Sequence, residues 1–239
     1  MSVPGDAMTT LPTAESEEPR LSRRSSFDIT AFITRNLRLQ PAPALADILL
    51  YTAHPASRLS RLGGTDPDAP APYWAYGWAG GTVLARHVLA NPAIVCGRRV
   101  LDLGAGSGIV AIAAAKAGAA SVVAADTDPN AIAAIALNAD ANGVAVGVLH
   151  ADLLAEPPPD VDVVLVGDLF YEEELAKRAL VYLTTCRAAG IDVLIGDPFR
   201  APLPTESLRC IAAYPVPDFG DGIGRGETRA GVFTIDPAA

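Results

Sequence analysis

Two stretches of the 239-residue chain place acids and glycines where chemistry needs them. The first runs from Arg98 to Pro129, "RRVLDLGAGSGIVAIAAAKAGAASVVAADTDP". It sets Asp102 and three glycines (Gly104, Gly106 and Gly108) at the end of an apolar run, and a second acid, Asp126, at the end of the next one. Glycines at such a turn let the chain reverse sharply and let a ligand touch the backbone with no Cβ in the way. A dinucleotide fingerprint would need G-x-G-x-x-G, but here the spacing is G-x-G-x-G and Ile109 follows. No Lys-Ser/Thr pair follows either, so the turn is not a phosphate-cradling loop. The spacing therefore suits a nucleoside ligand without phosphate. Asp126, at the carboxyl end of the second strand, is placed to accept hydrogen bonds from both ribose hydroxyls. Together, the glycine turn and the ribose acid point to S-adenosylmethionine. The competing reading is a structural turn with Asp126 capping the next helix.

The second stretch is "VVLVGDLFYEEELA", Val163 to Ala176. Its continuous apolar run reads as a buried parallel strand, so Asp168 stands at the carboxyl end, the face where open α/β sheets bind ligands. Tyr171 follows three residues later. Glu172, Glu173 and Glu174 read as the first turn of a helix, favoured there by its dipole, rather than as catalysts. Asp168 as a plain helix cap is the simpler alternative, although a cap needs no aromatic pair beside it. Were the acceptor an amine, transfer of a methyl group to it from a sulfonium would be an in-line displacement, in which positioning and desolvation do most of the work. Asp168 would orient an incoming ammonium, with action as a base a minor role, and Tyr171 would pack on the acceptor's stem. Asp152, in "HADLL", is a candidate acceptor for an adenine amino group or else an exposed loop acid. In "PYWAYGWAGG", Trp74 and Trp78 belong to a dense aromatic group that reads, from the residues alone, as core packing over the sheet. Asp197 is a candidate lining of the acceptor site, and Arg200 a candidate dock for an acidic protein surface.

The elements that must hold these residues alternate from position 99 onward. Strands are expected near 99–103, 121–126, 145–149, 161–167, 191–195, 208–213 and 230–235, and helices near 108–117, 129–142 and 172–189. That alternation predicts a parallel sheet with helices on both faces. The last two strands are joined by a Gly/Asp-rich loop, which predicts an antiparallel edge hairpin. Before them, residues 27–92 read as an extension of helical segments. It includes "FDITAFITRNLRL" with Asp28 as cap, a short apolar "ALADILLYTA", and "GGTVLARHVLANP" ended by Pro92. A disordered tail over 1–26 and one domain over 27–239 complete the layout.

Composition narrows the partners. The net charge of −9 lacks the basic footprint that nucleic acid requires. No run of about 18 uncharged apolar residues is present, so no membrane span is expected. Cys96, Cys186 and Cys210 are odd in number and far apart. They fit neither a disulfide framework nor a metal knuckle, and point to a reducing compartment. The three histidines are equally scattered and read as structural, so no metal site is expected. The tail has no apolar core for a secretory signal, and its glutamates oppose a transit peptide, which makes the cytoplasm the expected location.

The motifs "VLDLGAGSG" and "AADTDP" and the edge hairpin resemble a class I, seven-strand S-adenosylmethionine-dependent methyltransferase. "PYWAYGWAGG", "VVLVGDLFYEEELA" and "VLIGDPFR" are similar to the electron-transfer-flavoprotein β-subunit lysine methyltransferases, which share a D-x-x-Y motif. The likeness covers roughly 72–200 and implies a Rossmann-like sheet with S-adenosylmethionine held by Trp78, Asp102, Gly104, Gly106, Gly108, Asp126 and Asp152. It also implies Asp168 and Tyr171 at the reacting end, a lid formed by Trp74 and Trp78 with Trp78 the stronger candidate, and a target lysine on a protein, with the electron transfer flavoprotein β subunit as the named acceptor. A small-molecule N-methyltransferase of the nicotinamide N-methylase type shares every cofactor residue and is the alternative.

Overall fold

The computed structural model describes residues 28–62, 71–217 and 226–235. The anticipated tail and most of the loop at 63–72 lie outside them. The first helix, α1 (Ile29–Asn36), begins where Asp28 accepts a hydrogen bond from the Ala31 backbone N–H at 3.0 Å. It stops short of the helix expected through Leu39, because Leu37 turns to extended backbone. Strands β1 (Arg38–Ala42) and β2 (Leu45–Thr52) then form an antiparallel hairpin. The extension is therefore not helical throughout. Pro41 can sit opposite Leu49 because a two-stranded sheet leaves β1 one edge with no ladder to break.

The other edge of the hairpin is held by side chains. Asn142 accepts from the Leu49 N–H at 3.0 Å and donates to its carbonyl at 2.7 Å, while Asn138 accepts from Tyr51 N–H at 2.8 Å. Asn138 lies in a later helix and Asn142 is its C-cap, four residues on. Asn138 also donates to the Ser107 carbonyl at 2.8 Å, tying the hairpin to the glycine turn.

Helix α2 (Ala79–Ala90) leads into the main sheet. Its strands are β3 (Arg99–Leu103), β4 (Ser121–Asp126), β5 (Gly147–His150), β6 (Val163–Gly167), β7 (Asp192–Asp197), β8 (Leu208–Pro217) and β9 (Glu227–Ile235). The crossovers are α3 (Ile109–Lys116), α4 (Pro129–Ala141) and α5 (Glu173–Ala188). Strand order is β5-β4-β3-β6-β7-β9-β8; the first five strands run parallel and β9 runs antiparallel to both neighbours. The expected edge hairpin is present, with its second strand inserted between β7 and β8. Alternate residues of β6 feed opposite cores, since Val163 and Leu165 pack with α2 and α3 while Val164 and Val166 pack with α5.

The sheet order reverses at β3, whose neighbours are β4 on one side and β6 on the other. Ligand crevices of open α/β sheets form at the carboxyl ends of strands beside such a switch. On the β6 side, α2 lies almost on the strand backbones. A Cβ on Gly167 would stand 2.7 Å from Gly81 Cα, and one on Gly80 would stand 2.6 Å from an Asp168 carboxylate oxygen. Glycine at both helix and strand is what permits this approach. Among the described residues no helix is long and apolar enough to cross a membrane, and no three acids, histidines or cysteines gather as a metal site.

Candidate active site

A cavity of about 800 Å³ opens at the carboxyl ends of β3, β4 and β6. Its floor is the turn after β3. Gly104, Gly106 and Gly108 have φ of 67°, 53° and 79°, the left-handed region that side chains resist. Gly104 and Gly106 line the cavity, whereas Gly108 does not. A Cβ on Gly108 would meet Ile135 of α4 at 3.2 Å, so this glycine lets α3 and α4 pack closely. Asp126 is held rigidly at the rim: Oδ2 accepts from Gly106 N–H at 2.8 Å and Oδ1 from Asp128 N–H at 2.9 Å. Each oxygen keeps a lone pair for a ligand.

Asp102 is placed differently from the expectation that it contacts a cofactor. It is buried, does not border the cavity, and accepts from the Ala111 N–H at 2.9 Å in the first turn of α3. Burial pushes its carboxyl up to about 7, against the opposing pull of that hydrogen bond. Asp102 therefore fixes the helix that follows the turn. Asp152 does line the cavity. Its Oδ1 caps Leu154 N–H at 3.0 Å and its Oδ2 meets Arg178 of α5 at 2.6 Å, a pairing that lowers its pKa. Arg178 was missed by sequence reasoning, since no local spacing connects it to Asp152, 26 residues earlier.

At the β6 end, Asp168 adopts φ 57°, an uncommon conformation for a residue with a side chain. Its Oδ2 accepts from Gly81 N–H at 3.0 Å, and its Oδ1 from both Nε and Nη2 of Arg200 at 3.0 and 2.7 Å. Arg200, expected as a dock for an acidic protein surface, lines the cavity with its guanidinium on Asp168. Asp197 also departs from expectation. It is fully buried beside the site without lining it; Oδ1 accepts from Arg200 N–H at 2.7 Å, and Oδ2 has no partner among the described residues. Burial pushes this carboxyl up to about 7, and the neighbouring Asp168 adds to the effect.

The residues after Asp168 separate by direction. Leu169 lines the cavity, its Cδ1 2.9 Å from where a Gly104 Cβ would be, and Phe170 enters the core. Tyr171 remains 47% exposed at the mouth with its ring 5.7 Å from Tyr73, and burial of the rest raises its hydroxyl pKa. Trp78 packs edge-on to Tyr73 at 5.5 Å, donates from Nε1 to the Tyr73 carbonyl at 2.7 Å, and lies 5.6 Å from the Arg200 guanidinium. Trp74 borders the cavity but is 2% exposed, packed among Phe32, Ile33, Ala131 and Ala134, which favours its core reading. Glu173 and Glu174 occupy the first turn of α5 as expected.

Comparison with known proteins shows what the chain is similar to. Residues 82–168 match the family model of ribosomal protein L11 methyltransferase (PrmA). A zebrafish (Danio rerio) electron transfer flavoprotein beta subunit lysine methyltransferase is 38% identical over 204 residues, 82% of this chain and 79% of its own. Its rat (Rattus norvegicus) counterpart is 39% identical over 172 residues, 70% of this chain and 68% of its own. The chain belongs to the electron transfer flavoprotein beta subunit lysine methyltransferase family. A candidate RNA methyltransferase from Pyrococcus horikoshii shares the fold, with TM-score 0.52 at 15% identity over 74% of this chain and 95% of its own.

Membership makes the protein an S-adenosylmethionine-dependent methyltransferase, and the cavity fits that cosubstrate on its own terms. Among the described residues, Asp126, Asp128, Asp152 and Asp168 face the cavity against two cations, Arg178 and Arg200, each already joined to one of those acids. Such a lining suits a cationic ligand better than a phosphorylated one. The backbone edge at Gly104 and Gly106 lies open beside the acid that would take ribose hydroxyls.

Proposed function

We propose that this protein transfers the methyl group of S-adenosylmethionine to a lysine of the electron transfer flavoprotein β subunit. The observation that carries the reading is the 38% likeness to the zebrafish enzyme over most of both chains. The cavity mouth supports it, because Tyr73 and Tyr171 stand 50% and 47% exposed at the rim, where a side chain on a protein surface can reach in. Its acidic lining also speaks against a nucleic acid acceptor, since phosphates need cations to meet them.

Each residue has a defined task in this reading. Asp126 accepts the ribose hydroxyls, and the Gly104–Gly106 edge gives the backbone contact. Asp152, with one lone pair left on each oxygen, accepts the adenine amino group. Asp102 and Gly108 keep the turn and its helices in place without touching a ligand. Trp78 closes over the reacting end, Tyr171 packs along the lysine stem, and Asp168 orients the amine. When bound, S-adenosylmethionine supplies an electrophilic methyl group. A lysine with a pKa of about 10.4 must first lose its proton, and the residues at the mouth must receive it uncharged.

Incubation with methyl-labelled S-adenosylmethionine tests the reading, with purified electron transfer flavoprotein β subunit and nicotinamide offered in parallel. Label on a lysine of the protein supports it. Label on the small molecule alone would give the protein the alternative activity.

A further inference from the structure

The acceptor end holds a pair whose effect on an incoming amine is not obvious. A bare carboxylate beside an ammonium favours the charged form, which cannot attack a methyl group. Asp168 is not bare: Nε and Nη2 of Arg200 both donate to Oδ1, and Gly81 N–H holds Oδ2. The pair is screened from water, with side-chain exposures of 24% for Arg200 and 9% for Asp168, and the Trp78 ring flanks the guanidinium at 5.6 Å.

We propose that Arg200 is a charge-balancing residue of the acceptor site: its guanidinium neutralises Asp168, so that the amine presented there is received as the free base. This rests on the acceptor reading above. A cation near a lysine is one established way of activating it as a nucleophile. The amine's proton leaves to water before attack. The N–C bond then forms as the C–S bond breaks, the electron pair stays on sulfur, and the product departs as a methylated ammonium.

Other charged or titratable groups surround the pair. Asp197 of β7 accepts from the Arg200 N–H, and Arg229 of β9 stands 5.5 Å from the Phe199 ring. Tyr73 and Tyr171 sit at the mouth, while Asp126, Asp128 and the Asp152–Arg178 pair line the remainder of the cavity. Asp197, with its carboxyl raised to about 7 by burial, titrates in the relevant range and needs its own control.

The test is single-turnover methyl transfer across pH 6.5 to 10, roughly, with S-adenosylmethionine saturating, for wild type, Arg200→Gln, Arg200→Lys and Asp197→Asn. Removing the cation is expected to move the Arg200→Gln profile up by about one pH unit, a tenfold loss near neutrality that alkaline pH recovers. Arg200→Lys, which keeps the charge, should hold the wild-type position at a lower rate, and Asp197→Asn should not shift. A uniform loss at every pH for Arg200→Gln, or an equal shift in Arg200→Lys or Asp197→Asn, overturns the proposal. If Arg200→Gln does not fold, a wild-type profile position in Arg200→Lys supports the proposal and an upward shift contradicts it. Wild type that labels only a small-molecule amine sinks the protein-lysine reading instead, and the same profiles measured on that amine still decide the role of Arg200.

Discussion

The Gly106 backbone N–H donates to Asp126 Oδ2 at 2.8 Å, joining the glycine turn of β3 to the acid that ends β4. Two signals 20 residues apart in the chain are one object in the fold: the acid braces the turn and the turn aims the acid. Replacing Asp126 therefore removes a ligand contact and loosens the floor together. Asp126→Ala is expected to weaken S-adenosylmethionine binding by about 10- to 100-fold, the scale of one charge-assisted hydrogen bond or two. Calorimetry reads this directly, and wild-type affinity would exclude Asp126 from the ribose site.

Gly80 is tested by adding a single methyl group. In Gly80→Ala the new Cβ would fall 2.6 Å from Asp168 Oδ2 and closer still to the Gly196 carbonyl, so helix or carboxylate must move. Melting should drop by roughly 5 °C or more, and methyl transfer should fall further than cofactor affinity. A variant with the wild-type Tm and rate would show that the contact of α2 with β6 and β7 is looser than the structure has it.

Two buried acids set a pH dependence of stability. Asp102 and Asp197 are pushed up to about 7 by burial, while in the unfolded chain an aspartate titrates near about 3.9. Between those values the folded protein keeps protons that the unfolded chain has released. Their contribution to stability is thus full below about pH 4 and lost as pH rises through about 7. Urea unfolding at pH 5 and pH 8 should show Asp102→Asn and Asp197→Asn each losing less stability than wild type over that rise. Equal losses in all three proteins would refute the burial account.

Much of this was legible in the sequence because the signals were local. Strands β3 and β4 fall at the residues that their apolar runs predicted, and Gly104, Gly106 and Asp126 border one cavity. The hairpin at Arg38–Thr52 was not legible: Pro41 and Pro43 obscure the strands, and the partners that fix it, Asn138 and Asn142, lie on a helix and at its C-cap far along the chain. Asp102 read as a ligand-binding acid because sequence shows its neighbours but not which way its side chain faces. The pairing of Arg200 was hidden for a related reason. Its partner Asp168 is 32 residues away, and only the adjacency of β6 and β7 brings them together.

Tyr171 offers a test of ring against hydroxyl. Its ring faces Tyr73 at the mouth, and no hydrogen bond of its hydroxyl enters the account of the site. Tyr171→Phe is expected to keep most of the activity, whereas Tyr171→Ala should raise KM for the protein acceptor more than it lowers kcat, since stem packing is formed before the transition state. The opposite order would move the role to the hydroxyl.

The central claim is that an amine is methylated beside Asp168, and single-turnover transfer to the electron transfer flavoprotein β subunit with S-adenosylmethionine saturating tests it most directly. Asp168→Ala should retain nearly wild-type cofactor affinity, while the transfer step falls by about 10²-fold or more, the scale for losing a positioned polar group. Transfer at the wild-type rate in that variant would remove Asp168 from the reaction and contradict the account.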